Sequence, residues 1–158
     1  MKKILMVMLV LAGFCVKANA QFFVSGTAGF QYRNEVFSMK LLPGVGYEIS
    51  DRWAIGTGFG LSVFDKNTRG IVNPYVRFNC WNNDQVFLDV KATSELTFGD
   101  YYTTAFVGLK PSLRYAVNNH LQLSADFGAF GVDINDGDAS PAIGLTLSGI
   151  DLTVIYRF

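Results

Sequence analysis

The chain ends in the stretch IDLTVIYRF, residues 150–158, and this stretch decides the fold. Side chains of a β-strand alternate between its two faces. The even-numbered face is wholly apolar and consists of Ile150, Leu152, Val154, Tyr156 and Phe158. The odd-numbered face carries an anion, Asp151, and a cation, Arg157. A soluble protein would bury the apolar face in its core, whereas a membrane barrel would turn that face outward to lipid.

Residues 1–20 have the features of a signal peptide. Lys2 and Lys3 precede an apolar run over residues 4–16, and Ala18-Asn19-Ala20 supplies the small residues that signal peptidase requires. We therefore predict an exported chain with a signal peptide over 1–20 and one domain over 21–158, beginning at Gln21.

Charge and composition exclude several classes of protein. Removing Lys2, Lys3 and Lys17 leaves ten basic and thirteen acidic residues, a net charge of −3, which disfavours a nucleic-acid partner. Cys80 is the single cysteine after residue 20, so no internal disulfide is expected there. That part of the sequence has no run of about 18 apolar residues, so any membrane crossing would use strands.

The sequence from residue 22 to the end reads as eight alternating segments without helical periodicity. The segments cover residues 22–32, 40–49, 53–64, 71–81, 86–97, 104–117, 121–132 and a last strand ending at 158. Three tight turns, at 50–52, 82–84 and 118–120, alternate with stretches interpreted as longer loops at 33–39, 65–70, 98–103 and 133–141. In the last strand Leu147 and Ile150 differ in parity, which predicts a β-bulge at Ser148-Gly149.

One face of these segments carries balanced charges. Five acidic and five basic residues lie on it, distributed over six strands: Glu48, Asp89, Glu95, Asp126, Asp151, Arg77, Lys91, Lys110, Arg114 and Arg157. A soluble lipocalin-like barrel would expose these charges and bury the Leu/Val/Phe face, and it is the main alternative. Pro43, Pro74 and Pro111 in mid-segment, the export signal and the terminal Phe158 argue against it.

The C-terminal strand resembles a known assembly signal. Phe158, preceded at alternate positions by Tyr156, Val154 and Leu152, is similar to the signal of outer-membrane β-barrel proteins. In pattern and length, residues 21–158 resemble a small barrel of the OmpA/OmpX type, in the outer membrane protein beta-barrel domain family. The resemblance implies an all-β, eight-stranded antiparallel up-and-down transmembrane barrel in the bacterial outer membrane. It also implies contact with outer-membrane lipid and with the barrel-assembly machinery, no cofactor and no enzymatic activity.

Two non-catalytic functions follow from such a barrel. An eight-stranded barrel is just wide enough to be filled by side chains, so the ten charges are expected to pair in the lumen and leave a structural or surface-interaction role through the outer loops. No partner for those loops is indicated by the sequence. Alternatively, the cluster Gly44, Gly46, Gly56, Gly58 and Gly60 could leave space for a narrow pore or a ligand. We favour filling of that space by Phe64, Tyr75 and Arg77, because small residues usually face large ones in small barrels.

A catalytic role is the third hypothesis, and the residues support it poorly. A lipid-A hydrolase needs Ser, His and an acid within hydrogen-bond reach. The only histidine, His120, lies in a predicted turn about 13 Å along a strand from Ser124. We therefore expect His120 to be a polar turn residue.

Two smaller signals are interpreted as structural. The acidic group Asp133, Asn135, Asp136 and Asp138 lacks EF-hand spacing and its closing glutamate, which favours a solvated loop over a calcium site. Cys80 is expected on the outer apolar face as an inert packing residue.

Overall fold

The computed structural model describes residues 21–33, 36–64, 67–99, 103–135, 138–144 and 149–158. The signal peptide predicted over 1–20 and Ser148 of the predicted bulge lie outside these ranges. No helix in the described ranges is long and apolar enough to cross a bilayer.

The described residues form ten strands in one antiparallel sheet. Their bounds are β1 (Gln21–Arg33), β2 (Val36–Glu48), β3 (Trp53–Phe64), β4 (Asn67–Asn83), β5 (Val86–Phe98), β6 (Thr103–Ala116), β7 (Leu121–Phe127), β8 (Ala129–Asn135), β9 (Asp138–Gly144) and β10 (Gly149–Arg157).

The sheet closes into a barrel of eight strands. Neighbours in sequence pair from β1 to β6. Along β6, residues 112–116 pair with β7 and residues 104–109 pair with β8, so β7 and β8 together make the seventh strand. β9 pairs with β8 and β10 pairs with β7, so β9 and β10 together make the eighth strand. β10 also pairs with β1, from Phe23↔Arg157 to Gln31↔Gly149, and this closes the barrel. The predicted eight-stranded antiparallel barrel is therefore confirmed.

The barrel is apolar outside and polar inside. Among the side chains that the structure describes, eleven polar or charged ones are buried, against five apolar ones, and thirty large apolar ones are exposed on the surface. In β10, Leu152, Val154 and Tyr156 are about half exposed, whereas Thr153 and Ile155 are buried. The lipocalin-like alternative is wrong, because it would place the Leu/Val/Phe face inside.

A β-bulge at Gly128 separates β7 from β8. Ser112 pairs with Asp126 and Leu109 pairs with Phe130, so the seventh strand has one residue more than β6 across this step. Gly128 has φ of 81°, a left-handed conformation that glycine adopts without a steric penalty. The exposed parity consequently changes from Leu123 in β7 to Phe130, Val132 and Ile134 in β8. The predicted strand over residues 121–132, with one unbroken alternation of inward and outward side chains, was therefore wrong beyond Gly128.

A second bulge lies at Cys80. Asn79 pairs with Asp89 and Trp81 with Leu88, which leaves Cys80 as the extra residue. The Asn79 amide Nδ2 donates to the carbonyl of Trp81 at 3.1 Å across the bulge. Cys80 and Trp81 are both exposed as a result.

The two ends of the barrel differ less than the sequence suggested. One end, called here the terminal end, has Gln21 and Arg157 beside the connections at 49–52, 84–85 and 117–120. At the opposite end, called the hairpin end, pairing continues to Arg33↔Val36, Phe64↔Asn67, Phe98↔Thr103 and Asn135↔Asp138. Most residues interpreted as loops at 33–39, 65–70 and 133–141 are therefore strand, because hairpin hydrogen bonding can continue where hydrophobic alternation stops.

We predict that Gly128→Ala destabilises the barrel by about 1–2 kcal/mol, since an L-residue at this φ places its Cβ too close to the backbone. Gly26→Ala is the matched control, because a Cβ added there meets no atom within 4 Å. Urea unfolding in detergent, followed by tryptophan fluorescence, measures both variants. Equal midpoints for the two would contradict the assigned bulge.

Candidate functional site: the charged interior

The ten charged residues singled out in the sequence all point into the barrel, where the structure groups them into three sets. The terminal cluster consists of Glu48, Arg77, Asp89, Arg114 and Arg157. The middle pair is Lys91 and Asp126. The hairpin-side ring contains Glu95, Lys110, Asp151 and one residue that the prediction omitted, Lys40.

The terminal cluster joins five strands through two carboxylates. Asp89 is fully buried and accepts from Arg114, whose Nε lies 2.7 Å from Oδ2 and whose Nη2 lies 3.2 Å from Oδ1. Glu48 Oε1 accepts from Arg77 Nη2 at 2.8 Å and also from Arg157 Nη2. Bidentate and shared contacts of this kind match the planar fork of the guanidinium group.

Neutral groups add further hydrogen bonds to this cluster. Asn79 Nδ2 donates to Asp89 Oδ1 at 2.8 Å, and Arg114 Nη1 donates to Gln122 Oε1 at 2.8 Å. Asn79 and Gln122 are both buried. A buried ion pair is stable only when its remaining donors and acceptors are also satisfied, which explains these amides.

Aromatic rings pack against the same cations. The Arg77 guanidinium lies 5.4 Å from the Phe23 ring centre, and that of Arg114 lies 4.2 Å from the Phe87 ring centre. These distances are within the range of cation–π attraction. Phe23 is nearly fully buried and packs with Ala54 and Ile155, so the terminal half of the lumen contains a small apolar core beside the charges.

The middle pair lies between the other two sets of charges, because Lys91 is the register partner of both Arg77 and Lys110 on the neighbouring strands. Lys91 Nζ donates to both oxygens of Asp126, at 2.7 and 3.0 Å. Ser112 and Ser124 share a hydrogen bond at 2.7 Å nearby. Ser112 is also the register partner of Asp126, so short hydroxyl side chains lie beside this ion pair.

The hairpin-side ring alternates cations and anions. Lys40 Nζ lies 3.0 Å from Glu95 and 2.8 Å from Asp151, and Lys110 Nζ lies 3.4 and 3.6 Å from the same two carboxylates. Lys40 lies on the polar face of its segment with Glu48, and this alternation was the signal that could have included it. Each lysine therefore neutralises parts of two acids.

Large side chains occupy the space over the glycine cluster. A Cβ at Gly56 would collide with the Tyr75 ring, and one at Gly46 would collide with the Phe23 ring. At Gly60 and Gly44 the nearest atoms are largely neighbouring backbone, so these glycines allow close approach of β2 and β3. Tyr75 thus lies over the glycine cluster, as predicted. Phe23 also lies there, although the sequence analysis did not assign it to this space. The side chain of Phe64 is not among those that the structure describes.

Two cavities in the lumen are lined by described residues. A cavity of about 280 Å³ occupies the hairpin end, with hydroxyl-bearing walls and the hairpin-side ring among its lining residues. A second, of about 30 Å³, lies towards the terminal end and is lined by Tyr75, Arg77, Lys91 and Thr153 among others. Lys40, Lys110 and Asp151 line both, so the ring lies between the larger cavity and the smaller one.

Residues considered for catalysis or metal binding have other contacts. His120 is exposed in its turn, with Nδ1 at 3.0 Å from the carbonyl oxygen of Arg157, whereas Ser124 is buried against Ser112. Asp133 and Asp138 lie in strands of the β8–β9 hairpin, and Asp136 is outside the description. Within the described ranges no group of three or more His, Cys, Asp or Glu side chains could hold a metal ion.

Comparison with known proteins bears on the fold. No protein-family model matches the chain, and no curated protein matches it. Among solved structures, the solution NMR structure of the de novo designed TMB2.3 is similar, with a TM-score of 0.55 and 14% identity over 90% of this chain and 98% of that one. A structure titled "De novo design of transmembrane beta-barrels" is also similar, with a TM-score of 0.52 and 12% identity over the same shares. The chain is therefore an eight-stranded β-barrel whose fold resembles that of transmembrane barrels.

We predict that Asp89→Asn destabilises the barrel by about 3–5 kcal/mol, because it leaves buried guanidinium groups without their carboxylate. Asp51→Asn, in an exposed turn, should change stability by no more than about 0.5 kcal/mol. Adding Arg114→Gln to Asp89→Asn should recover part of the loss, which a double-mutant cycle in urea measures. Additive losses would show that the two side chains do not act as a pair.

Proposed function

We propose that the chain is an integral protein of the bacterial outer membrane, a small barrel of the OmpA/OmpX type exported by a signal peptide over residues 1–20. The observation that carries the proposal is the inverted polarity of the barrel, with thirty large apolar side chains exposed and charged ones buried. A soluble protein rarely exposes so much apolar surface, whereas a membrane barrel needs an apolar band facing lipid.

Aromatic residues at the terminal end support a membrane interface there. Phe22 and Tyr47 have ring centres 5.0 Å apart, and Trp53 and Phe78 have ring centres 4.7 Å apart. Belts of such rings mark the level of the lipid head groups in membrane proteins. We place the terminal end, with its tight turns, on the periplasmic side.

The C-terminal strand is proposed as the contact with the barrel-assembly machinery. Leu152, Val154, Tyr156 and Phe158 are all exposed on the outer face, and Phe158 N–H donates to the carbonyl of Phe22 at 3.1 Å. This strand presents an apolar outer face and is also the strand that closes the barrel. The assembly machinery could therefore bind it before the barrel closes.

We propose a structural or surface-interaction role and no enzymatic one. The terminal cluster, Phe23 and Phe87 fill the periplasmic half of the lumen, which leaves the hairpin end as the part available to partners. His120 contacts the carbonyl oxygen of Arg157 and Ser124 contacts Ser112, so the two residues are not hydrogen-bonded to each other, which argues against a hydrolase.

A second candidate is a barrel that holds a small ligand or forms a narrow pore. The cavity of about 280 Å³ at the hairpin end favours it. This volume is near the lower limit of ligand-binding pockets, about 300 Å³.

We expect the full-length protein to be recovered in the outer-membrane fraction of producing cells. Unboiled samples should migrate differently from boiled ones in SDS gels, because a closed barrel keeps its hydrogen-bonded strands until heated. Recovery in the soluble periplasmic fraction, with one mobility at both temperatures, would reject the proposal.

Planar-bilayer recordings and liposome-swelling assays separate the two candidates. The filled terminal half predicts no large, stable conductance and no swelling with monosaccharides, and a known porin serves as the positive control. Stable, solute-permeable conductance would instead favour the pore.

A further inference from the structure

The terminal cluster holds more positive than negative charge. Three guanidinium groups, of Arg77, Arg114 and Arg157, form ion pairs only with Glu48 and Asp89 among the described residues. In contrast, the middle pair and the hairpin-side ring are each neutral by count. The terminal cluster therefore carries an excess of one positive charge in a largely buried place.

Two buried donors occur in this same cluster. Arg77 Nη1 and Arg157 Nε have no hydrogen-bond partner among the described residues. Arg77 is 3% exposed. Unsatisfied buried donors cost free energy, about 1–3 kcal/mol each, and native structures usually satisfy them with water or an ion.

The two carboxylates do not complete the coordination of these donors. Oδ1 of Asp89 already accepts from Asn79 and Arg114, and Oδ2 accepts from Arg114. Glu48 Oε1 already accepts from the Nη2 groups of both Arg77 and Arg157. A further acceptor of negative charge would satisfy the donors and the charge together.

We propose that the terminal cluster binds one small monovalent anion of the halide class, held by the two unpartnered donors, Arg77 Nη1 and Arg157 Nε. An anion accepts hydrogen bonds from charged donors and cancels the excess charge, whereas water supplies only the acceptor. The site is independent of the membrane location proposed above.

Access to this site is from the terminal end. The Arg157 side chain is 19% exposed, compared with 4% for Arg77. Arg157 is the penultimate residue of the sequence and lies beside the turn that contains His120. An ion can therefore exchange with solvent past Arg157 and leave the interior around Asp89 undisturbed.

The test compares unfolding of the full barrel in detergent in sodium chloride and in sodium gluconate of equal ionic strength. Chloride should stabilise the wild type in a saturable way, with a roughly tenfold lower unfolding equilibrium constant when chloride is ten times its Kd. Arg52→Gln, in an exposed turn, is the matched control and should retain the chloride effect.

Two variants remove the excess charge by different routes. Arg157→Gln deletes one cation and one of the two donors, and Gln122→Glu supplies a third carboxylate beside Arg114 with almost no change in shape. Both should lose the difference between chloride and gluconate. Because Gln122→Glu keeps the oxygen that Arg114 Nη1 contacts and adds a negative charge, it provides a readout even if Arg157→Gln fails to fold.

Crystals of the wild-type protein grown in sodium bromide locate the ion. An anomalous peak in hydrogen-bonding contact with Arg77 Nη1 or Arg157 Nε is expected. A wild type equally stable in both salts, an unchanged chloride effect in Gln122→Glu, or bromide absent from the cluster would overturn the proposal in favour of water.

Discussion

Charges inside a narrow closed barrel must find counterions, and most of the structure follows from this constraint. Backbone hydrogen bonds join only neighbouring strands, but several ion pairs join strands that are not neighbours. Glu48 on β2 meets Arg77 on β4 and Arg157 on β10, and Lys40 on β2 meets Glu95 on β5. These contacts cross the lumen, so they are satisfied together only when the barrel is closed in this register. Buried ion pairs contribute little net stability by themselves, and we regard their role here as specifying the register.

The outer surface obeys the complementary constraint. Outward positions carry Val, Leu, Ile and aromatic residues, and they tolerate proline, as at Pro43 and Pro74. A proline cannot donate to a ladder, but the paired strands around it still supply the remaining bonds. What the outer face requires is apolar character rather than tight packing, whereas the inner face requires specific partners.

Alternation was sufficient to predict the strands and to place the ten selected charges on one face, because the period of two is a local property of the sequence. It also contained the signals for Lys40 and Phe23, which share the polar faces of their strands. Which acid meets which base was beyond it, since this depends on how strands that hold residues 15 to 109 positions apart are staggered. The Gly128 bulge was missed although Phe130, Val132 and Ile134 carry the new parity. The loop assignments at 33–39 and 133–141 failed because strand pairing outlasts hydrophobic alternation.

The choice between arginine and lysine follows the difference in cavity size, since the cavity towards the terminal end measures about 30 Å³ and the one at the hairpin end about 280 Å³. At the terminal end, planar guanidinium groups bind the carboxylates, and those of Arg77 and Arg114 also lie over the Phe23 and Phe87 rings. At the hairpin end, Lys40 and Lys110 present compact ammonium groups to the same two acids, and a cavity of about 280 Å³ lies over them. A polar solute entering from the hairpin end would therefore meet a cavity lined by Arg69 and the hairpin-side ring before it reached the arginine cluster. The excess charge of the arginine cluster distinguishes it from the middle pair and from the hairpin-side ring, which are each neutral by count.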